Sequence, residues 1–293
     1  MNKYKGIILA GGLGTRLRPL TSALSKQLLP IYDKPMIFYP LSVLMLAEIR
    51  EILIISTKDH INLFQKLLGD GSQVGLSIEY KIQDEPRGIA EAFIIGEQFI
   101  GDDSCSLILG DNIFYGPNFS NLLKVAKESS QGATIFTYPV KNPENFGVLE
   151  NDQNGELINI VEKPKDFVSN MAVTGLYLFD NNCIDYSKKI KPSSRGELEI
   201  TSLLNKYIKM NTLSHNFLGR GFAWLDTGSH DSLIDAGLFV KTIESRQGQK
   251  IACLEEIAYQ KSWITEQELK AQAALYEKTE YGEYLIGLLD KNY

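Results

Sequence analysis

The chain is 293 residues long, with 30 Lys and Arg against 36 Asp and Glu and a formal net charge of −6. That length suits one large α/β domain with an appendage, and the acidic balance excludes a nucleic-acid-binding face, confining any anion site to local basic groups. Three cysteines without metal-ligand spacing, no signal-peptide core and no apolar stretch long enough for a bilayer point to a cytoplasmic protein with no membrane partner.

From Gly6 to Ala10 the chain reads as a short strand buried on both faces of a parallel sheet. It breaks into Gly11, Gly12 and Gly14, then Thr15, Arg16 and Arg18, with Lys26 beyond. Glycines without a Cβ let backbone N–H groups approach an anion, and the basic side chains supply counter-charge, so the loop is built to hold phosphate. It is not a Walker A loop, which needs Lys and Ser or Thr directly after its last glycine. Nor is it a dinucleotide fingerprint, because Gly12-Leu13-Gly14 runs into Arg16, Arg18 and Pro19 instead of opening a helix. Pro19 and Pro30 predict an extended loop.

Helical and strand patterns then alternate. A helix near 36–49 precedes the strand Ile52 to Ser56, and the strand 76–82 precedes a helix over 89–100. The strand Leu107 to Leu109 comes next, then a helix over 121–128 and a strand over 133–138. This order predicts a Rossmann-like, mostly parallel mixed sheet with helices on both faces, whose ligands bind at the carboxyl ends of strands. The glycine loop and Asp111 fall on that same rim. Past Gly147 a hairpin is expected, its turn at Asn154-Gly155, followed by strands over 173–179 and 222–226 added to the same sheet system. Helical patterns return after Ser229 and through the amphipathic stretch 251–293. The expectation is one catalytic domain over 1–245 and a C-terminal helical extension over 246–293.

Asp111 ends an apolar run after Gly110, and Asp226 ends a second such run before Thr227-Gly228. The residues alone leave each either the start of a turn or a hard oxygen ligand for Mg²⁺. Val161-Glu162-Lys163-Pro164 reads by itself as a strand end with a solvated corner. His60, His215 and His230 are scattered, and no Ser, Cys or His nucleophile stands in a triad motif.

The segment Gly11-Gly12-Leu13-Gly14-Thr15-Arg16-Leu17, with Lys26 and Pro30 after it, closely resembles the signature of the sugar-1-phosphate nucleotidyltransferase family. The run from Ser25 to Met36, SKQLLPIYDKPM, is similar to that of the family's glucose-1-phosphate thymidylyltransferase branch. The resemblance covers nearly the whole chain and implies a Mg²⁺-dependent enzyme that converts dTTP and α-D-glucose 1-phosphate to dTDP-glucose and pyrophosphate by direct displacement. Such an enzyme would feed deoxysugar synthesis, dTDP-rhamnose for example, for surface polysaccharide and lipopolysaccharide. By the same resemblance, Asp111 and Asp226 would hold the metal, and Arg16, Lys26 and Lys163 would work on the phosphates. Nucleotide contacts would come from Leu9, Gly11, Gly12, Gly14, Thr15, Arg16, Lys26, Gln27, Asp111 and, around the base, Gln83, Pro86 and Gly88. Asn112, Gly147, Glu162, Lys163 and Val173 would meet the sugar.

A glutamine amide both donates to and accepts from a pyrimidine edge, which suits Gln83 to base recognition. Asp84, Glu85 and Arg87 depart from the family's loop here, leaving its shape open. The resemblance further implies a homotetramer inhibited by a downstream nucleotide sugar at a second site, to which Tyr115, Gly116, Gly219, Arg220 and the extension would contribute. Two alternatives stand beside this reading. One is a uridylyltransferase making UDP-glucose, against which the Gln27-to-Pro35 run speaks. The other is a non-catalytic nucleotide-sugar sensor, which should have lost a metal aspartate or the loop arginine; Arg16, Asp111, Lys163 and Asp226 are all present.

Overall fold

A computed structural model describes residues 3–290. Its strands, in chain order, are β1 (Tyr4–Ala10), β2 (Pro30–Ile31), β3 (Lys34–Pro35), β4 (Glu51–Ser56) and β5 (Ser77–Ile82). There follow β6 (Ser104–Leu109), β7 (Asn112–Tyr115), β8 (Ala133–Pro139), β9 (Gly147–Asn151) and β10 (Leu157–Glu162). The last are β11 (Met171–Phe179), β12 (Leu213–Phe217) and β13 (Ala223–Asp226).

β1, β4, β5 and β6 pair in parallel, with β1 between β4 and β6. Ile7, Ile8, Leu53, Ile54, Leu107 and Ile108 are fully buried there, as expected of strands covered by helices on both faces. β11 runs antiparallel to β6, and β8 lies antiparallel on its other side, with β12 parallel to β8. The sheet also forks along β11. Its residues 176–179 pair with β6, while Ala172, nearer its start, pairs with β9, the first strand of the β9–β10 hairpin. An irregularity in the β8 pairing between Val173 and Tyr177 lies at the fork. The cleft described below opens in that gap.

The expected α/β fold is present, with three differences in detail. The helix expected over 89–100 is two short helices, Glu91–Ile95 and Glu97–Ile100, broken at Gly96. A Cβ on Gly96 would lie 2.9 Å from the Ala92 carbonyl and from Ile7 Cδ1, so the glycine lets the segment press onto β1. The run ending at Asp226 does not join the large sheet. As β13 it pairs with β7, a strand the sequence reading did not anticipate, in a separate two-stranded ribbon. Three helices, Ile61–Leu68, Asn182–Lys189 and Ile200–Lys209, and the strand β12 also went unanticipated.

The helix Phe38–Leu46 is apolar all round and buried from Tyr39 to Met45, as a helix at the centre of a large core must be. The expected C-terminal extension is helical: Leu254–Gln260, Glu266–Leu275 and Glu280–Asp290. Its residues 291–293 lie outside the described part of the chain. Leu254, Ile257, Ala258, Leu269, Leu285 and Leu288 belong to the same core cluster as Ile8 and Leu41. Among the described residues no helix is long and apolar enough to cross a membrane.

Candidate active site

β1 and β6 end side by side, Leu9 opposite Leu109, and deliver the glycine loop and Asp111 to one rim. Gly110 donates from its N–H to the Leu9 carbonyl at 2.9 Å and lies under Gln27, where a Cβ would come within 2.9 Å of the Gln27 side chain. After Gly11 and Gly12 the loop turns at Gly14, which has φ 59 and ψ 28, a left-handed conformation open to glycine without strain. A short 3₁₀ turn, Thr15–Leu17, follows in place of an α-helix, as the prolines predict, and Thr21 Oγ1 donates to the Gly14 carbonyl at 2.7 Å. A cleft of about 220 Å³ is lined by Gly12, Gly14, Thr15, Arg16, Lys26, Gln27, Asp111 and Gly228. Most of the expected phosphate contacts are therefore in one place.

The two aspartates come from the β7–β13 ribbon, where Asp226 pairs with Asn112, the residue after Asp111. Thr227, fully buried, donates from Oγ1 to the Asp111 carbonyl at 3.0 Å and so pins the two strand ends together. Lys26, 6% exposed, donates from Nζ to Asp111 Oδ2 at 2.6 Å. Burial, and after it the negative charge of Asp111, push the Asp226 carboxyl up to about 6. Lys26, Arg16 and Lys163 all oppose that rise, so three cations from separate segments act on one carboxylate. Like charges held together in a protein imply a cation between them or a shared proton.

A larger cleft of about 580 Å³ occupies the fork of the sheet and shares Arg16 and Asp111 with the smaller one. Asn112, Gly147, Glu162, Lys163, Val173 and Asp226 all line it, so every expected sugar contact is brought together. Lys163 stands at φ 45, a left-handed conformation uncommon for a residue with a side chain. Its N–H donates to the Phe146 carbonyl at 2.9 Å, and its charge reaches Asp226. Such strain is typical of residues held for function. Burial first and then Glu199 raise the pKa of Glu162, while Lys163, Arg195 and a hydrogen bond from Thr201 counter the rise.

Gln83, Pro86 and Gly88 line neither cleft. Gln83 is 3% exposed beneath the glycine loop, packed so closely that any Cβ on Gly11 would collide with its Oε1. Its Nε2 donates to Glu91 Oε2 at 2.8 Å. Pro86 is exposed, and Gly88, at φ 110, packs on the Leu198 backbone, where a Cβ would come within 2.5 Å.

The sequence reading missed several wall residues of the larger cleft, among them Phe146, Gly175, Tyr177, Thr201 and Trp224. Trp224 carried a signal: it stands two residues before Asp226, and strand periodicity of two puts both on one face. Arg195 was also missed. It forks onto Glu199 at 3.0 and 2.8 Å and reaches Glu162 at 3.3 Å, a link across 33 residues that no local pattern shows.

The nucleotidyl transferase family matches residues 5–243. A glucose-1-phosphate thymidylyltransferase of Neisseria meningitidis serogroup A is 55% identical over 287 residues, 98% of this chain and all of the relative. One from Mycobacterium tuberculosis is 50% identical over 288 residues, again 98% of this chain and all of the relative. Among solved structures, a Bacillus anthracis protein described as a glucose-1-phosphate thymidylyltransferase in complex with sucrose superposes with a TM-score of 0.74. It is 42% identical, and the match covers 80% of this chain and 94% of that one. A UDP-glucose pyrophosphorylase complexed with UDP-glucose, 23% identical with a TM-score of 0.72 over 83% of this chain and all of its own, shares the fold.

Proposed function

The chain belongs to the nucleotidyl transferase family, and from that premise we propose that it is a Mg²⁺-dependent glucose-1-phosphate thymidylyltransferase. It joins dTTP and α-D-glucose 1-phosphate to give dTDP-glucose and pyrophosphate. One observation carries the chemistry: Asp111, Asp226, Arg16, Lys26 and Lys163, from five separate segments, converge where the two clefts meet. The smaller cleft suits the β- and γ-phosphates and the larger one the sugar. An oxygen of the sugar phosphate attacks the α-phosphorus of dTTP, and the bond from that phosphorus to the pyrophosphate oxygen breaks. No nucleophile of the protein is needed. The chain positions the reactants and neutralises charge, Arg16 and Lys26 beside the departing pyrophosphate and Lys163 beside the incoming sugar phosphate.

The acidic pair fits Mg²⁺. Among the described residues no group of three or more His, Cys, Asp or Glu could hold a metal, whereas Mg²⁺ commonly takes one or two carboxylates and fills its other positions with phosphate oxygens and water. Asp111 and Asp226 would hold the ion, and when bound it would offset the repulsion between nucleotide and sugar phosphates.

The wider reading places the enzyme in the cytoplasm, at the first step of dTDP-deoxysugar synthesis, as a homotetramer with a second, inhibitory nucleotide-sugar site. Tyr115, Gly116, Gly219 and Arg220 suit that site because they sit at the far end of the β7–β13 ribbon, outside both clefts. There Gly116 packs on the Phe222 ring and Phe222 donates from its N–H to the Gly219 carbonyl at 3.2 Å.

Pyrophosphate release from Mg²⁺, glucose 1-phosphate and each nucleoside triphosphate tests the assignment. Thymine and uracil differ by one methyl group, worth about 1–3 kcal/mol in an apolar pocket, so UTP is expected to be a measurable but poorer substrate than dTTP. CTP and the purine nucleotides are expected to fail; a preference for any of them would overturn the thymidylyltransferase reading.

A second expectation concerns Gln83 and the glycine above it. Gly11→Ala leaves the backbone free of strain, since Gly11 is not among the positive-φ residues, but drives Gln83 from its place. The KM for dTTP should rise about tenfold, roughly 1.4 kcal/mol of lost binding. The KM for glucose 1-phosphate should hold. Steady-state kinetics in both substrates checks this, and equal changes in the two would argue against Gln83 as a base contact.

A further inference from the structure

Gln83 is held by more than its burial. Its backbone N–H donates to the Ser56 carbonyl at 2.8 Å, and Ser56 Oγ donates to the Ala10 carbonyl at 3.0 Å. The end of β5 is thereby tied through β4 to the end of β1, where the glycine loop begins. What remains open is the side-chain amide, whose oxygen and nitrogen exchange places by a half-turn. Glu91 closes that choice. A carboxylate oxygen only accepts, so the Gln83 nitrogen faces Glu91 Oε2, 2.8 Å away. Gln83 Oε1 then faces the glycine loop, where a Cβ on Gly11 would collide with it. With the amide turned over, two acceptors would meet at hydrogen-bond distance.

The same oxygen of Glu91 also accepts from the Arg87 backbone N–H at 3.3 Å. Arg87 stands between Pro86 and Gly88, so one carboxylate joins Gln83 to the turn expected beside the base. The Arg87 side chain pairs with Glu85 instead, at 3.3 Å. Glu91 is absent from the walls of both clefts. It opens the five-residue helix Glu91–Ile95, a place where an acid is favoured for its own sake. That ordinary role does not account for its reach back across eight residues to a buried amide.

We propose that Glu91 is a positioning residue that sets pyrimidine choice by fixing the orientation of the Gln83 amide. The inference rests on Gln83 being a base contact, as in the function above. The amide nitrogen keeps a second hydrogen after Glu91 has accepted one, so Gln83 offers a base an acceptor beside a donor. Thymine and uracil match that pattern, with the N3 hydrogen beside a carbonyl oxygen. Cytosine reverses it, with a bare N3 beside an amino group.

The kcat/KM for dTTP and for dCTP, which carry the same sugar, measured on the full-length protein and its variants, tests this. Glu91→Gln keeps the shape of the side chain but lets it donate as well as accept, so both orientations of Gln83 become available. The preference for dTTP over dCTP is expected to fall about tenfold, the scale of one hydrogen bond to a charged group, while kcat for dTTP and the KM for glucose 1-phosphate change less than about twofold. A merely structural role would slow both triphosphates alike and leave the preference unmoved. Glu91→Ala also frees the amide and should relax the preference in the same direction; it decides the matter if Glu91→Gln does not fold. Gln83→Ala serves as the control. A raised KM for dTTP in Gln83→Ala, with an unchanged preference in both Glu91 variants, overturns the inference and leaves the function standing. An unchanged KM for dTTP in Gln83→Ala instead removes the base contact beneath it.

Discussion

Replacing Asp226 by Asn is expected to cut turnover about 10³-fold, roughly 4 kcal/mol of barrier, while making the metal-free protein harder to unfold. The two effects have one cause. Asp226 is held partly buried beside Asp111, which raises its carboxyl from the ordinary 3.8 to about 6. A carboxyl whose folded pKa lies above its unfolded one binds its proton more tightly when folded. Its contribution to stability is therefore present at low pH and is lost as pH rises from about 4 through about 6. At neutral pH the ionised group works against the fold. An amide of the same shape removes that strain, for a gain on the order of 2 kcal/mol and several degrees in melting temperature without metal. Thermal melts in EDTA at pH 7.5, run beside turnover in excess Mg²⁺, check both halves. A variant as active as the parent at limiting Mg²⁺ would remove Asp226 from the site. The Mg²⁺ requirement of the parent should also grow as pH falls below about 6, because the proton and the metal compete for the same oxygens.

Arg16→Ala should lower kcat and kcat/KM together, by about 10²–10³-fold, the scale for losing one well-placed donor to charge that develops in the transition state. Arg16 lines both clefts, and its guanidinium lies over Gly228, 3.3 Å from where a Cβ would be. It is exposed and acts on Asp226 through its charge. Charge grows on the pyrophosphate as the bond to the α-phosphorus breaks, so the arginine is needed most at that moment. Were only the KM for dTTP to rise, the arginine would serve binding and not the displacement. Arg16→Lys should recover part of the rate, since a point charge replaces the planar fork without its paired donors.

The parts of this site that lie along the chain were legible in the sequence. Glycines after a buried strand, and acids closing apolar runs, are local patterns, and they delivered Arg16, Lys26, Asp111 and Asp226. What joins these parts was not legible, because it is set by pairing between distant segments. Nothing near Asn112 announces that its amide will meet Trp224 across 112 residues, or that β7 and β13 will leave the main sheet to form their own ribbon. Gln83 was readable as an amide near the nucleotide, yet its burial under Gly11 follows from the parallel register of β4 and β5. The helix Ile200–Lys209 did carry a signal: its buried Ile200, Leu203, Leu204 and Tyr207 recur at helical spacing.

The sharing of one core by the first strand and the last helices bears on how the protein comes into being. Ile8 and Leu41 emerge early from the ribosome, but Leu254, Ile257, Leu269 and Leu285, which belong to the same buried cluster, are made last. At about 5–20 residues per second the nascent chain waits on the order of ten seconds or more between the two events. Throughout that interval the apolar helix Phe38–Leu46 lacks its final cover. A chain stalled or cut near residue 245 would hold every residue assigned here to chemistry and still present that unfinished surface. Such fragments should be captured by chaperones or aggregate, and should not accumulate as a smaller active enzyme.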